Sequence, residues 1–139
     1  MRALIDLALN SGSEPVSLKD IAKRQDVSLN YLEQIFALLK KGKIVKSIRG
    51  SQGGYVFADD IDNITIGEVL IVLEGSFAPV GCVTKEHPVK CEKYDRCITK
   101  FLWKKMRNNL YVMLNGITIK DLINDYFENN KCSNLEREL

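Results

Sequence analysis

Residues 17–58 carry the pattern that most narrows the fold. Two short helices, each opened by a hydroxyl, are followed by a basic strand, a glycine-rich turn and a second strand. Ser17-Leu-Lys-Asp20 places a hydroxyl at a helix start and a carboxylate three residues on, in the manner of a capping box. A helix over about 18–25 follows, with Ile21 and Ala22 facing inward. Asp26-Val27 makes a tight turn. Ser28 caps the next helix, Leu29 to Lys41, whose apolar stripe is Leu29, Leu32, Ile35, Phe36 and Leu39. Gly42 stops it. Ile44 to Arg49 alternates apolar and basic residues, Gly50-Ser-Gln-Gly-Gly54 permits a tight tip, and Tyr55 to Ala58 returns. Two short helices with a brief joint form a helix-turn-helix, and a hairpin directly after it is a wing.

The rest of the chain reads as helices around one irregular segment. Arg2 to Asn10 has helical apolar spacing, and Pro15 blocks its continuation. Thr65-Ile-Gly-Glu68 caps a helix over 66–74 that ends at Gly75. A long amphipathic helix over about 97–115 carries Trp103, Met106, Leu110 and Met113 on one seam. That seam is too broad to leave in water, which predicts self-association through this helix. Gly116 ends it, and Thr118-Ile-Lys-Asp121 caps a last helix through about Phe127. The expected fold is mainly α with a small β-hairpin. Residues 1–75 form a winged helix-turn-helix domain, 76–97 a cysteine loop, 98–128 a dimerisation helix with the terminal helix, and 129–139 a frayed tail.

Charge points to a polyanion. The whole chain carries only +2, but residues 17–58 hold eight Lys/Arg against three acids, and the run 40–49 has five bases and no acid. A basic stripe over a helix-turn-helix is the electrostatic footprint of duplex DNA, whereas a charge run alone is often only a solvated face. Asn30, Glu33 and Gln34 project from the first turns of the third helix, off the apolar stripe. Asn and Gln can read adenine, and Glu can accept from cytosine. Ser28 and Tyr31 are placed to position phosphates, as is Lys43. Arg49, Ser51 and Gln52 belong to the wing, which suits the minor groove or the backbone. No membrane-length apolar run occurs, and no leader is evident at Met1–Leu9, so a cytoplasmic protein with reduced thiols is expected.

Cys82, Cys91 and Cys97 are spaced C-x8-C-x5-C among the turn formers Pro79, Gly81 and Pro88. Thiols grouped so in a reducing compartment suit a metal or iron–sulfur cluster. A Cys3His zinc site using His87, a thiol redox switch and buried structural cysteines are the other readings. Zinc usually selects closer cysteine pairs. Cys132 reads as a free thiol in the tail. Lys100, Lys104, Lys105 and Arg107 either stabilise an anionic cluster or simply solvate their helix.

Taken together, Val27-Ser-Leu-Asn-Tyr-Leu-Glu-Gln34, Leu38-Leu-Lys-Lys-Gly42, Val45-Lys-Ser-Ile-Arg-Gly-Ser-Gln-Gly-Gly-Tyr55, Ile64-Thr-Ile-Gly-Glu68 and Leu73-Glu-Gly75 closely resemble the Rrf-type winged-helix transcriptional regulators. The match extends to about residue 127, and the R-G-x-x-G-G-Y wing is its specific part. The resemblance implies a homodimer, the helix over about 97–115 as its dimerisation element, and a roughly palindromic operator on double-stranded DNA. It further implies that Cys82, Cys91 and Cys97 ligate an iron–sulfur cluster, 2Fe–2S being favoured over 4Fe–4S. In the iron–sulfur-biogenesis subgroup a His follows three residues after the third cysteine. Here that position is Lys100, which leaves the fourth ligand open and His87 as a candidate. Family members carry a further basic segment before the position matching Arg2. A chain beginning here either starts late or lacks that segment and some DNA affinity with it.

The leading expectation is a repressor whose DNA binding follows its cluster, as in control of iron–sulfur biogenesis. Nitric-oxide or thiol-redox sensing within the same family is the alternative. A small iron–sulfur electron carrier is the competing class, but it needs neither wing nor basic stripe. No enzyme is expected. The single His has no partner base or nucleophile, and Gly50–Gly54 lacks the Lys-Ser/Thr of a phosphate-binding loop.

Overall fold

The computed structural model describes residues 1–12 and 14–137, with side chains as far as Asn130. The chain divides into two compact units, Met1–Ile64 with Thr118–Leu139, and Thr65–Ile117.

The first unit holds α1 (Arg2–Asn10), α2 (Leu18–Gln25), α3 (Leu29–Lys41), β1 (Val45–Ile48), β2 (Gly54–Phe57) and α6 (Ile119–Arg137). Its helix starts are fixed locally. The Ser17 hydroxyl accepts from the Asp20 amide and donates to the Asp20 carboxylate. The Ser28 hydroxyl accepts from the Tyr31 amide at 3.1 Å. Thr118 and Asp121 cap α6 reciprocally. Asp26 closes α2 in the left-handed region, with φ 50°. This is tolerable for a residue with a short polar side chain, and it turns the chain sharply into α3. β1 and β2 pair antiparallel, from Val45 opposite Phe57 to Ile48 opposite Gly54. Leu4, Leu7, Ile21, Leu32, Phe36, Leu39, Val45 and Ile119 make the core, and Phe36 meets the Tyr55 ring edge-on at 5.0 Å.

Two features of this unit were not anticipated. Val16 pairs with Tyr55 through both backbone groups, at 3.0 and 2.8 Å, adding a bridge beside the hairpin. Gly54 is required there, because a Cβ would fall on the Val16 carbonyl. Gly50 supplies the turn at φ 125°. The last helix does not stop near Phe127 but continues to Arg137, so the segment expected to fray is helical through that residue. The Cys132 side chain lies outside the described residues, and with it the expectation of a free thiol.

The second unit holds α4 (Ile66–Glu74), an irregular segment with short 3-10 turns at Gly81–Val83 and Tyr94–Arg96, and α5 (Lys100–Asn115). Thr65 and Glu68 form a full capping box on α4. Gly67 lets α5 approach closely, since a Cβ would strike the Asn115 side chain. α5 starts later than expected because the chain before it is still turning at Tyr94–Arg96. Its half-buried face is Trp103, Arg107, Leu110, Tyr111 and Leu114, with Tyr111 stacked on Phe77 at 4.3 Å. The expected seam is therefore split. Trp103 and Leu110 turn inward, while Met106 and Met113 stay exposed beside Phe101, Leu102 and Val112.

Candidate DNA interface and cysteine loop

In the first unit, the apolar stripe of α3 is buried at Leu32, Phe36 and Leu39, which rotates Asn30, Tyr31, Glu33 and Gln34 into solvent. Tyr31 is 56% exposed, a large aromatic surface with no core role. Ser28 spends its side chain on the cap, so its remaining offer to a phosphate is at the open start of the helix. Lys43 is exposed at φ 59°, just after the helix. Arg49, Ser51 and Gln52 are exposed at the wing tip. The Lys40 ammonium donates to the Ser47 hydroxyl at 2.7 Å, tying the end of α3 to β1.

One cation of the basic stripe is not free for phosphate. Arg24 donates to Asp6 through Nε at 3.0 Å and Nη2 at 2.6 Å, and Gln25 adds a bond at 2.8 Å. Asp6 is buried. Burial pushes its carboxyl up, but the bonds from Arg24 and Gln25, the Arg24 charge and Asn10 outweigh this and hold it below the usual carboxylate value. The network fastens α2 to α1, and so seats the helix that precedes α3. The helical apolar spacing of Arg2 to Asn10 does not by itself single out Asp6. A polar residue at a core position of an amphipathic helix is the signal that a partner should be sought.

In the second unit, Cys82, Cys91 and Cys97 are all free thiols. Cys82 and Cys91 line one open hollow of about 420 Å3, together with Pro88, Val89, Lys90, Tyr94 and Asp95. Cys97 lies outside that lining, just before α5. Its Sγ is 3.3 Å from the Thr99 hydroxyl, which also accepts from the Trp103 indole at 3.1 Å. The Thr99 hydroxyl, then the backbone amides of Thr99 and Lys100 and the Lys100 charge, lower the Cys97 thiol below its ordinary value against a small burial effect. His87 is exposed and outside the hollow. The Lys100 ammonium sits 4.4 Å from the centre of the Tyr94 ring, and that of Lys104 5.4 Å. Arg107 donates to the Val83 carbonyl at 2.7 Å, holding the segment after Cys82 to α5.

A cluster calls for sulfur donors, and this loop offers three cysteines, with the Cys97 thiol lowered by Thr99. Among the described residues no three His, Cys, Asp or Glu side chains converge as a ready metal site. The donor set fits an iron–sulfur cluster in kind without being assembled in advance around one point. Among the described residues, too, no helix is long and apolar enough to cross a membrane.

Comparison with known proteins bears on the fold and the family. The family model Rrf2, an iron-dependent transcriptional regulator, matches residues 1–125. The HTH-type transcriptional regulator IscR of Escherichia coli O1:K1 is 41% identical over 123 residues, 88% of this chain and 74% of the relative. IscR of Cronobacter sakazakii is 42% identical over the same shares. Among solved structures, T. potens IscR superposes with a TM-score of 0.71 at 38% identity, covering 90% of this chain and 80% of that one. CymR, the global cysteine regulator of B. subtilis, gives 0.68 at 38%, covering 87% of each. The winged helix-turn-helix expected from the hairpin and caps is thus present, and the chain belongs to the Rrf2 family of transcriptional regulators, which are not enzymes.

Proposed function

We propose that this regulator is a cytoplasmic repressor that binds a roughly palindromic operator as a homodimer, and that an iron–sulfur cluster on Cys82, Cys91 and Cys97 sets its affinity. The observation that carries the DNA half is the exposed polar face of α3 beside an exposed wing. Asn30, Glu33 and Gln34 reach base edges in the major groove. Ser28, Tyr31 and Lys43 fix the helix on phosphates, and Arg49, Ser51 and Gln52 meet the minor groove or backbone. An electron carrier would need none of these. The exposed apolar band of α5, with Phe101 75% and Val112 77% accessible, is the surface by which two copies join.

When bound, a 2Fe–2S group supplies a charged, redox-active ligand to the cysteine loop. The chain's own part is to provide thiolates, and Thr99 and Lys100 prepare the one at Cys97. A ligand shifts DNA affinity only through its differential affinity for two arrangements of the dimer, typically ~1–3 kcal/mol of coupling. The relatives named IscR support cluster control. The exposed free thiol of Cys91 supports a second reading, in which the loop responds to nitric oxide or to thiol oxidation.

Anaerobic reconstitution with iron and sulfide, followed by binding of apo and holo protein to an operator selected from random duplexes, tests the proposal. Cys91→Ala should lose the visible chromophore and keep apo-like DNA binding, and Cys132→Ala should do neither. Equal operator affinity of apo and holo wild type sinks cluster sensing. A Cys91→Ala protein that takes up full iron and sulfide sinks the ligand assignment. A monomeric mass by sedimentation at micromolar concentration sinks the dimer.

A further inference from the structure

We infer that Lys40 is a positioning residue for DNA reading: its bond to Ser47 fixes the angle of the wing to α3, so its ammonium acts on the fold rather than on a phosphate. The inference rests on the DNA-reading role proposed above for α3 and the wing. Three residues, Gly42 to Ile44, join α3 to β1. The middle one, Lys43, has φ 59°, a conformation that L side chains rarely adopt. Backbone bonds run from Gly42 to Leu38, from Lys43 to Lys40 and from Ile44 to Leu39, at 2.8, 3.1 and 2.9 Å. They close the turn, and none of the three reaches beyond Ile44 into the wing.

The wing is met by side chains of α3 at two successive turns. Phe36, in the core, touches the Tyr55 ring edge-on at 5.0 Å. Four residues on, the Lys40 ammonium donates to the half-buried Ser47 hydroxyl at 2.7 Å. Residues 36 and 40 share a helix face. Ser47 and Tyr55 are direct cross-strand partners, so they share a face of the hairpin. The apolar contact allows the wing to roll, whereas the hydrogen bond is directional and holds one angle. Arg49 follows Ser47 by two residues, about 7 Å of chain at most. A swing about the Lys43 turn would carry Arg49, Ser51 and Gln52 away from DNA while Glu33 and Gln34 stayed in the major groove. The tie between Lys40 and Ser47 opposes that swing. Among the described residues, Lys40 is the one base of the run 40–49 whose side chain makes a hydrogen bond or ion pair, so Lys41, Lys43, Lys46 and Arg49 keep their charge for phosphate.

Wild type, Lys40→Met, Ser47→Ala, Ser47→Thr and the Lys40→Met/Ser47→Ala double variant are bound to an operator that wild type selects from random duplexes. Affinity is measured across a salt series, and hydroxyl-radical and dimethyl sulfate footprints report the minor and major grooves. Urea unfolding checks that each variant is folded. Ser47→Ala removes no charge, yet it should weaken binding several-fold and lose the minor-groove footprint while keeping the major-groove one. Lys40→Met should do the same with the same salt slope, and the double variant should lose no more than either. Ser47→Thr keeps the hydroxyl and should match wild type. Ser47→Ala that binds and footprints as wild type overturns the inference and leaves the DNA-reading role standing. A salt slope lower by about 1 in Lys40→Met than in Ser47→Ala makes Lys40 a phosphate contact instead. Additive losses in the double variant show that the two residues act separately, which also overturns it. Wild type that selects no duplex overturns the DNA-reading role and this inference together.

Discussion

The two units are held together by different means. The first buries a continuous set of large apolar side chains, among them Leu4, Leu7, Ile21, Phe36, Leu39 and Ile119. The second has Val69 and Val83 as its fully buried large side chains among the described residues, and α5 has none. Its cysteine segment is fastened by discrete contacts: Arg107 on the Val83 carbonyl, Lys85 over Tyr111, and Lys100 and Lys104 over Tyr94. Close-packed interiors resist deformation, whereas a segment with few buried contacts opens at low cost. On the proposed function, a reading head would hold Glu33 and Gln34 to fixed positions, and a ligand-taking loop would rearrange. The contrast in packing matches that division of labour.

The largest expected effect probes the packed side of this contrast. Phe36→Ala should destabilise the first unit by about 3–5 kcal/mol, from lost transfer energy plus the cavity left against Tyr55. Urea unfolding reads it. A loss below 1 kcal/mol would mean that the helix-turn-helix is held by something other than its core.

Next is the buried carboxylate. Asp6→Asn should cost roughly 1.5–3 kcal/mol, the scale of hydrogen bonds to a charged group. The folded Asp6 carboxyl is held below its unfolded value of about 3.9. Its contribution is therefore complete above that pH and fades as pH falls through the folded value. Wild type should lose stability below about pH 4 more steeply than Asp6→Asn, and parallel acid curves for the two would remove Asp6 from the account.

DNA binding separates readout from grip within the first unit. Gln34→Ala or Glu33→Ala should cost about 1–3 kcal/mol at particular base pairs and relax specificity there. Lys43→Ala should weaken all duplexes alike and reduce the salt slope by about 1. If Gln34→Ala left affinity and base preference unchanged, α3 would not be the reading element.

The smallest effect belongs to the loop. Arg107→Met removes the bond to the Val83 carbonyl and should cost about 1 kcal/mol or less in global stability. Amide exchange near Val83 should nevertheless rise by more than exchange in α3. Equal change in both regions would contradict the idea that the cysteine segment opens on its own.

Much of the reading head was legible because its signals are local. Ser17, Ser28, Thr65 and Thr118 each satisfy amides three residues away, so a short stretch of sequence specifies the helix start. The α3 stripe, its exposed polar face and the glycine tip of the wing are likewise properties of neighbouring residues. The split seam of α5 was not legible, because Trp103, Met106, Leu110 and Met113 have helical spacing whichever way the helix turns. Phe77, Val83 and the close approach at Gly67 select the inward face, and none of these lies on α5.

The sequence by itself determined the winged helix-turn-helix and the donor chemistry of the loop, since caps, periodicity and three thiols need no distant partner to be recognised. Only the tertiary structure decided which groups meet. Val16 pairs with Tyr55 across 39 positions. Asp6 holds Arg24, which removes one cation from the basic stripe. The turn at Tyr94–Arg96 brings Asp95, rather than His87, to the hollow of Cys82 and Cys91. Each of these depends on where the chain returns after a turn, and chain return is set by burial summed over the whole unit rather than by any short run of residues.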